Sequence, residues 1–382
     1  MLLLAFIGVA FIYSSQAYSG NDFWIRQLVW IGLGGVIYTV LGRIDYSIYL
    51  ANAFWLYLIA IFLLVLIYTP VGMEREGARR WLNFIVLAYQ PAEAAKVCTL
   101  IMLASVLARS ELGTIRQSLW TLTKVFAITL LPLFLIFTQP DLGSCLILPP
   151  MMLTLLYISR LSERFFIGVL AVVVMGTSVV GFDLFQYSQF LKNEQLTALE
   201  ARGKYQETSI FPLRDYQRER IMTFVAPEVV DPRGTGSAWN SVQAQQAVGT
   251  GGLTGKGWGN GLQARLGYLP RSVAHNDFIF AVLAEEAGFI GGILVIGIFA
   301  ILLANGVRIA GVARDRFGTL LVAGVTVIFL IHVFINVGMT IGLTPITGLP
   351  LPFISYGGSF ILSCCILQGL IQSVNRHRRR FD

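Results

Sequence analysis

Apolar residues in this chain come in long blocks rather than in alternation. Ten blocks stand out, over residues 2–18, 26–42, 48–68, 91–108, 119–138, 142–159, 163–182, 276–307, 317–343 and 352–374. Each approaches the length of about 20 residues that crosses a bilayer. The first is short enough for its upper end to lie among the headgroups. Backbone groups in lipid need partners within their own segment, so each block is expected to be a helix. The predicted fold class is an all-α integral membrane protein with ten transmembrane helices in one continuous bundle. One stretch breaks the pattern. Residues 183–275 form a long polar insert between the seventh and eighth helices. Its first half, "NEQLTALEARGKYQE", is charged and helix-prone. Its second half, "GTGGLTGKGWGNGLQARLGYLP", is rich in glycine. A structureless loop this long is unusual, and long loops on a rigid scaffold tend to carry function. The GxGxxG-like spacings within it have no strand–helix unit around them, which rejects a nucleotide site.

Composition sharpens this picture. Of the 382 residues, 55% are hydrophobic and 13% charged, against about 25% charged in a soluble domain. The net charge of +7 would suggest nucleic acid in a soluble protein. Here the cations mark the cytoplasmic loops, and no nucleic-acid partner is expected. With both termini in the cytoplasm, the inner loops hold Arg43, Arg109, Arg116, Lys124, Arg160, Arg164, Arg308, Arg314 and Arg316, and the tail adds Arg376, Arg378, Arg379 and Arg380. The short outer loops hold only Arg26, Arg75, Arg79 and Arg80. This asymmetry follows the positive-inside rule and turns the 183–275 insert outward. Cys98, Cys145, Cys364 and Cys365 lie in apolar blocks without CxxC spacing, so they read as small hydrophobes, with neither metal nor disulfide implied. The opening "MLLLAFIGVAFIYSS" lacks a basic flank and reads as a first span rather than a signal peptide.

Several charged groups sit where charge is costly. "HNDFIFAVLAEE" places Asp277 at the mouth of an apolar block, with Glu285 and Glu286 farther in. On a helix, Asp277, Ala281, Ala284 and Gly288 share a face, small except for the acid, that admits close packing or a cavity. Glu286 then points away from Asp277, with Glu285 between. Asp277 is either a site acid or a first-turn acid favoured by the helix dipole. Glu285 and Glu286 are expected to pair with interior cations. In "QPAEAAK", Glu93 and Lys96 are three apart and can pair, as structure, as site, or as both. Asp141 in "FTQPDLGS" is either turn chemistry or part of a site. Arg79 and Arg80 precede the fourth helix in "GARRWLNF". The proline- and glycine-rich run over 345–358 suggests broken backbone lining a cavity.

Together "HNDFIFAVLAEE", "QPAEAAK", "QPDLG", "AVGTGGLTGKGWGNG" and "GLPLPFISYGGS" resemble the SEDS family (shape, elongation, division and sporulation), and nearer its elongation than its division members. The motifs run in the expected order from about residue 79 to 359. This chain has Asn276 where threonine is common and Ala92 where serine is common; neither change touches an acid or base. The resemblance implies a peptidoglycan glycosyltransferase of the bacterial cytoplasmic membrane. Such a protein polymerises lipid II on the outer side and works with a class B penicillin-binding protein, a transpeptidase. It places the family's essential aspartate on Asp277, its intramembrane acid–base pair on Glu93 and Lys96, and its arginine within Arg79–Arg80.

That chemistry suits the residues. A sugar hydroxyl is a poor nucleophile until a base takes its proton, which a positioned carboxylate can do. A diphosphate leaves as a stable anion and needs charge neutralisation more than a proton. Unlike a glycosidase, such an enzyme has no need of a second carboxylate. Asp277 is the expected base, with inversion at the anomeric carbon. Arg79, Arg80, Lys96, Arg220 and Arg271 are the cations available to the diphosphate. No cofactor is required; a divalent cation, Mg2+ or Mn2+, could share the leaving-group role, although no ligand cluster demands one. Membrane lipid surrounds the bundle. The rivals are a lipid II flippase or other transporter of lipid-linked substrates, and a non-enzymatic scaffold.

Overall fold

The computed structural model describes residues 1–17, 22–75, 78–84, 87–194, 201, 204–205, 215–231, 234, 236 and 238–378. The side chains of Arg75, Ala78, Phe84, Leu87, residues 215–217, Arg220 and Arg271 lie outside the described residues. Apolar helices occupy the predicted blocks. They are α1 (Leu2–Gln16), α2 (Phe23–Leu41), α3 (Ser47–Ala51) with α4 (Ala53–Leu66), α5 (Pro91–Ala108), α6 (Ile115–Thr138), α7 (Leu142–Ile158) and α8 (Glu163–Asn193), then α14 (Ile279–Gly311), α15 (Arg316–Thr340) and α16 (Gly358–Arg376). Between α8 and α14 come the short helices α9 (Asp215–Val225), α10 (Pro227–Val230), α11 (Trp239–Thr250), α12 (Leu262–Arg265) and α13 (Arg271–Ala274). Seven of the apolar helices are long enough to cross a membrane, and α1, α4 and α7 are shorter. The chain is a multi-pass membrane protein.

Helix α5 is the packing centre and touches α4, α6, α7, α15 and α16. Pro91 opens it at a position where the missing N–H costs nothing. By contrast, the apolar stretch of α8 buries no residue before Asp183, as expected of a helix facing lipid.

Four features go beyond the sequence expectation or depart from it. First, the chain is not purely helical. A three-stranded antiparallel sheet, β1 (Gly72–Arg75), β2 (Ala78–Phe84) and β3 (Leu87–Tyr89), joins α4 to α5. Its strands are too short to announce themselves between apolar blocks. The register pairs Met73 with Trp81 and Glu74 with Arg79, which leaves Arg80 as the extra residue of a bulge. Second, α8 runs eleven residues past its predicted end, to Asn193. Asp183 lies inside it and pairs with Arg218 of α9 at 2.7 Å, both buried. Third, the described parts of the 183–275 insert are built structure, while most of the helix-prone stretch 193–207 lies outside the described residues. Leu184, Tyr187 and Leu191 of α8 form a small core with Tyr205, Met222 and Val230, and Ala244, Ala247 and Leu269 pack on Phe278, Ala281 and Val282. Fourth, α14 begins at Ile279, so Asp277 precedes it and does not share a helical stripe with Ala281 and Ala284. The helix is also broken at Gly288, where φ is 68° and ψ −169°.

Candidate active site

A cavity of about 720 Å³ opens where α2, α5, α7 and α16 begin. Asp277, Arg80, Glu93 and Asp141 all line it. So do Arg26 and Trp30 of α2, Trp81 of β2, Ser144 of α7, and Gly348, Leu349 and Pro350. These contributions come from sequence-distant segments that only the fold brings together.

The half-buried Asp277 is held through its backbone. Three consecutive carbonyls accept hydrogen bonds: His275 from the Tyr356 N–H at 3.0 Å, Asn276 from Ser355 Oγ at 2.6 Å, and Asp277 from Asn336 Nδ2 at 2.8 Å. The same Asn336 amide donates to the Leu349 carbonyl at 2.7 Å. The proline- and glycine-rich run is thus one wall of the cavity, stitched to the segment that carries the acid. Gly348 has φ +75°, a conformation that favours glycine, and its Cβ position lies 3.5 Å from Asp277 Oδ2, at ordinary contact distance. Buried Gln27 of α2 donates to the Ser355 carbonyl at 3.2 Å and accepts from the Gly357 N–H at 3.3 Å. His275 stacks on Phe23, ring centres 4.6 Å apart, and its Nδ1 meets Gln16 Nε2 at 3.0 Å. Such support fixes the backbone that carries the Asp277 carboxylate.

The paired arginines separate. Arg79 turns back to the carbonyls of Thr69 at 2.6 Å and Gly72 at 3.3 Å. Arg80, at the bulge, lines the cavity. Bulges re-aim single side chains in this way. Glu93 and Lys96 are buried and paired at 2.7 Å, with Glu93 on the cavity wall and Lys96 behind it. Asp141 caps α7 by accepting from the Ser144 N–H at 3.1 Å, and also accepts from Gln90 Nε2 at 2.8 Å. It serves the turn and faces the cavity together. Burial first, and then the Glu93 charge, hold the Tyr89 phenol above its ordinary range, so it keeps its proton at neutral pH. The side chains of Arg220 and Arg271 fall outside the described residues.

Glu285 and Glu286 are not on the cavity. They anchor the glycine-rich run. Glu285 pairs with Lys256 at 2.6 Å and accepts from the Leu262 and Gln263 N–H groups at 2.9 and 3.2 Å. For Glu286 the expected interior cation is replaced by neutral donors, Ser14 Oγ at 2.5 Å and the Gly259 N–H at 3.1 Å. The loop closes on α14 so tightly that a Cβ at Gly255, where φ is +80°, would stand 2.1 Å from the Glu286 carbonyl oxygen. Gly255→Ala therefore combines left-handed strain with overpacking against backbone. We expect it to cost about 2–4 kcal/mol, read as a fall in the melting temperature of the purified protein; an unchanged melting temperature would refute the clasp.

Sequence reasoning missed Gln27, His275, Asn336 and Arg26. Gln27 and Asn336 did carry a signal, since each is a lone amide inside an apolar block. Nothing local distinguishes Arg26.

The comparisons with known proteins agree with this architecture. The family model described as "Cell cycle protein", covering FtsW, RodA and SpoVE, matches residues 1–380. "Peptidoglycan glycosyltransferase MrdB" of Escherichia coli K12 is 34% identical, over 94% of this chain and 88% of its own. "Peptidoglycan glycosyltransferase RodA" of Treponema pallidum is 31% identical over 98% and 95%. Among solved structures, a chain from "Structural coordination of polymerization and crosslinking by a peptidoglycan synthase complex" matches with TM-score 0.76 and 25% identity, over 98% of this chain and 96% of that one. The Thermus thermophilus rod shape determining protein RodA shares the fold, with TM-score 0.65 and 23% identity over 99% and 96%. By the match of the family model to nearly its whole length, this chain belongs to the FtsW/RodA/SpoVE family of cell cycle proteins.

Proposed function

We infer that the chain is a peptidoglycan glycosyltransferase that polymerises lipid II at the outer face of the bacterial cytoplasmic membrane, in the manner of the elongation members of its family. Ten crossings, with α1, α3–α4 and α7 as the short ones, leave both termini in the cytoplasm. A class B penicillin-binding protein is the crosslinking partner; the complex described for a similar chain supports this.

One observation carries the reading: Asp277 and Arg80 line one cavity at the end of the bundle opposite the loops that hold Arg109, Arg160, Arg314 and Arg316. At that other end, Arg316 ties the end of α5 to the end of α7, donating to the Ser110 carbonyl at 2.7 Å and to the Ser159 carbonyl at 3.2 Å. By the positive-inside rule that end is cytoplasmic, and the cavity opens outward.

In the reaction, Asp277 takes the proton from an acceptor sugar hydroxyl as its oxygen bonds to the anomeric carbon of the donor. The bond from that carbon to the diphosphate breaks on the opposite face, so the centre inverts. The diphosphate leaves with the electron pair, and Arg80 offsets its charge. Glu93, paired with Lys96, forms part of the same wall.

Purified protein in detergent, given lipid II alone and then with a class B penicillin-binding protein, is expected to make glycan polymer. A flippase needs two compartments and would make none. Absence of polymer under both conditions overturns the assignment.

A further inference from the structure

We propose that Gln90 is a substrate-binding residue whose side-chain oxygen accepts a hydrogen bond from a donor on a lipid II sugar, and that Asp141 is the positioning residue that aims it. The proposal rests on the glycosyltransferase reading and adds two roles which that reading leaves open.

Gln90, Glu93 and Asp141 all line the cavity. The backbone of Gln90 is fixed from two sides. Its N–H donates to Ser359 Oγ of α16 at 3.1 Å, and its carbonyl accepts from the Glu93 N–H at 3.1 Å. The residue stands at the cap position of α5, yet its side chain caps nothing there. The side chain runs instead to the start of α7, where Nε2 donates to Asp141 Oδ2 at 2.8 Å. Asp141 is held in turn by the Ser144 N–H at 3.1 Å and the Ser144 hydroxyl at 2.9 Å.

The bond to Asp141 settles which way the amide faces. The two ends of a glutamine amide have nearly the same shape, and their partners tell them apart. A carboxylate accepts and cannot donate, so the NH2 end lies on Asp141 and Oε1 is the opposite end. Oε1 has no hydrogen-bond partner among the described residues. It is not one of the sealed, unpaired oxygens of the interior, and Gln90 is partly exposed where it borders the cavity. Gln90 thus offers an acceptor of fixed direction that a bound molecule can reach.

An acceptor selects a donor. Sugar hydroxyls and the N–H of an acyl-amino group are donors. Diphosphate oxygens have no proton to give at neutral pH, and a lipid tail has no donor. Gln90 therefore reads the sugar and leaves the anion to Arg80.

The test is the kinetics of two variants of the full-length protein with lipid II. Gln90→Met keeps the length of the side chain and removes the acceptor; kcat/KM should drop about tenfold to a hundredfold. Asp141→Asn tests the aiming without touching Gln90. Asparagine caps a helix as well as aspartate does, so the melting temperature should hold. With the new oxygen kept on the Ser144 N–H, the new NH2 group faces that of Gln90. The Gln90 amide then turns over and presents a donor where an acceptor stood, and kcat/KM should fall by a similar factor. Both changes remove one contact, so Asp141→Asn should add little in the Gln90→Met background. Two lipid II analogues identify the sugar donor, one with O-acyl esters in place of the acyl-amino groups and one lacking the hydroxyl next to the reacting one. The analogue missing the true donor should be a poor substrate for the natural protein but no poorer than lipid II itself for Gln90→Met. Unchanged kinetics in Gln90→Met overturn the proposal. So does a loss that couples to neither analogue, or one that added Mg2+ restores, since Oε1 would then be a cation ligand. Full additivity of the two substitutions overturns the positioning role of Asp141. If the natural protein itself makes no polymer, the glycosyltransferase reading fails; if it does and Gln90→Met matches it, only the role of Gln90 fails.

Discussion

Asp277→Asn leaves the protein folded and its partner bound, yet abolishes polymer from purified lipid II. The two side chains are nearly the same size. The hydrogen bond from Asn336 to the backbone carbonyl of residue 277 survives the change. What disappears is the group that accepts the proton. A positioned general base contributes about 10²–10⁴-fold to rate, so polymer formation should fall by at least about 10²-fold. Polymer yield in detergent, alongside an unchanged melting temperature, is the measurement. Substantial polymer from this variant would remove Asp277 from the mechanism.

Lys96→Met is the change expected to cost most in stability. Glu93 is 4% and Lys96 2% exposed, in the most enclosed helix of the bundle. Removing the ammonium strands a carboxylate away from water, and breaking such a buried pair costs about 3–5 kcal/mol. Glu93→Gln should lose less, since a stranded lysine can still approach the Phe360 ring, 6.0 Å from its Nζ. The double variant, with no charge left to strand, should recover much of the stability. It should not recover full activity, because Glu93 also stands on the cavity wall. Melting temperatures of the four proteins close the cycle, and strictly additive losses would mean that the two side chains do not depend on each other.

The helices were legible because lipid imposes one rule along each apolar block. Asp277, Glu93, Lys96 and Asp141 were legible as charges in places where charge is costly. The choice between Arg79 and Arg80 was not. It depends on a bulge in a strand pair, and the register between Gly72–Arg75 and Ala78–Phe84 is a pairing of two segments that neither specifies alone. The stripe drawn from Asp277 to Gly288 failed for a related reason. A helical projection assumes continuous backbone, whereas the helix starts after the acid and Gly288 leaves the helical region under the glycine-rich clasp. Glu286 was expected to find a cation, and found a serine hydroxyl and a backbone N–H from segments far away in sequence. The extension of α8 past residue 182 was hidden because polar residues interrupt the apolar run there, while Leu184, Tyr187 and Leu191 continue it only on the side that meets a small core of their own.

The break at Gly288 has a mechanical consequence. As one straight rod, the 33 residues of α14 would be about 50 Å long, well beyond the roughly 30 Å of a hydrocarbon layer. The interruption leaves residues 289–311, about 35 Å long as a helix, enough by themselves to cross that layer, while residues 279–287 stay packed under the glycine-rich run. The segment that carries Asp277 is thus separated from the long apolar part of α14 by a break in the backbone.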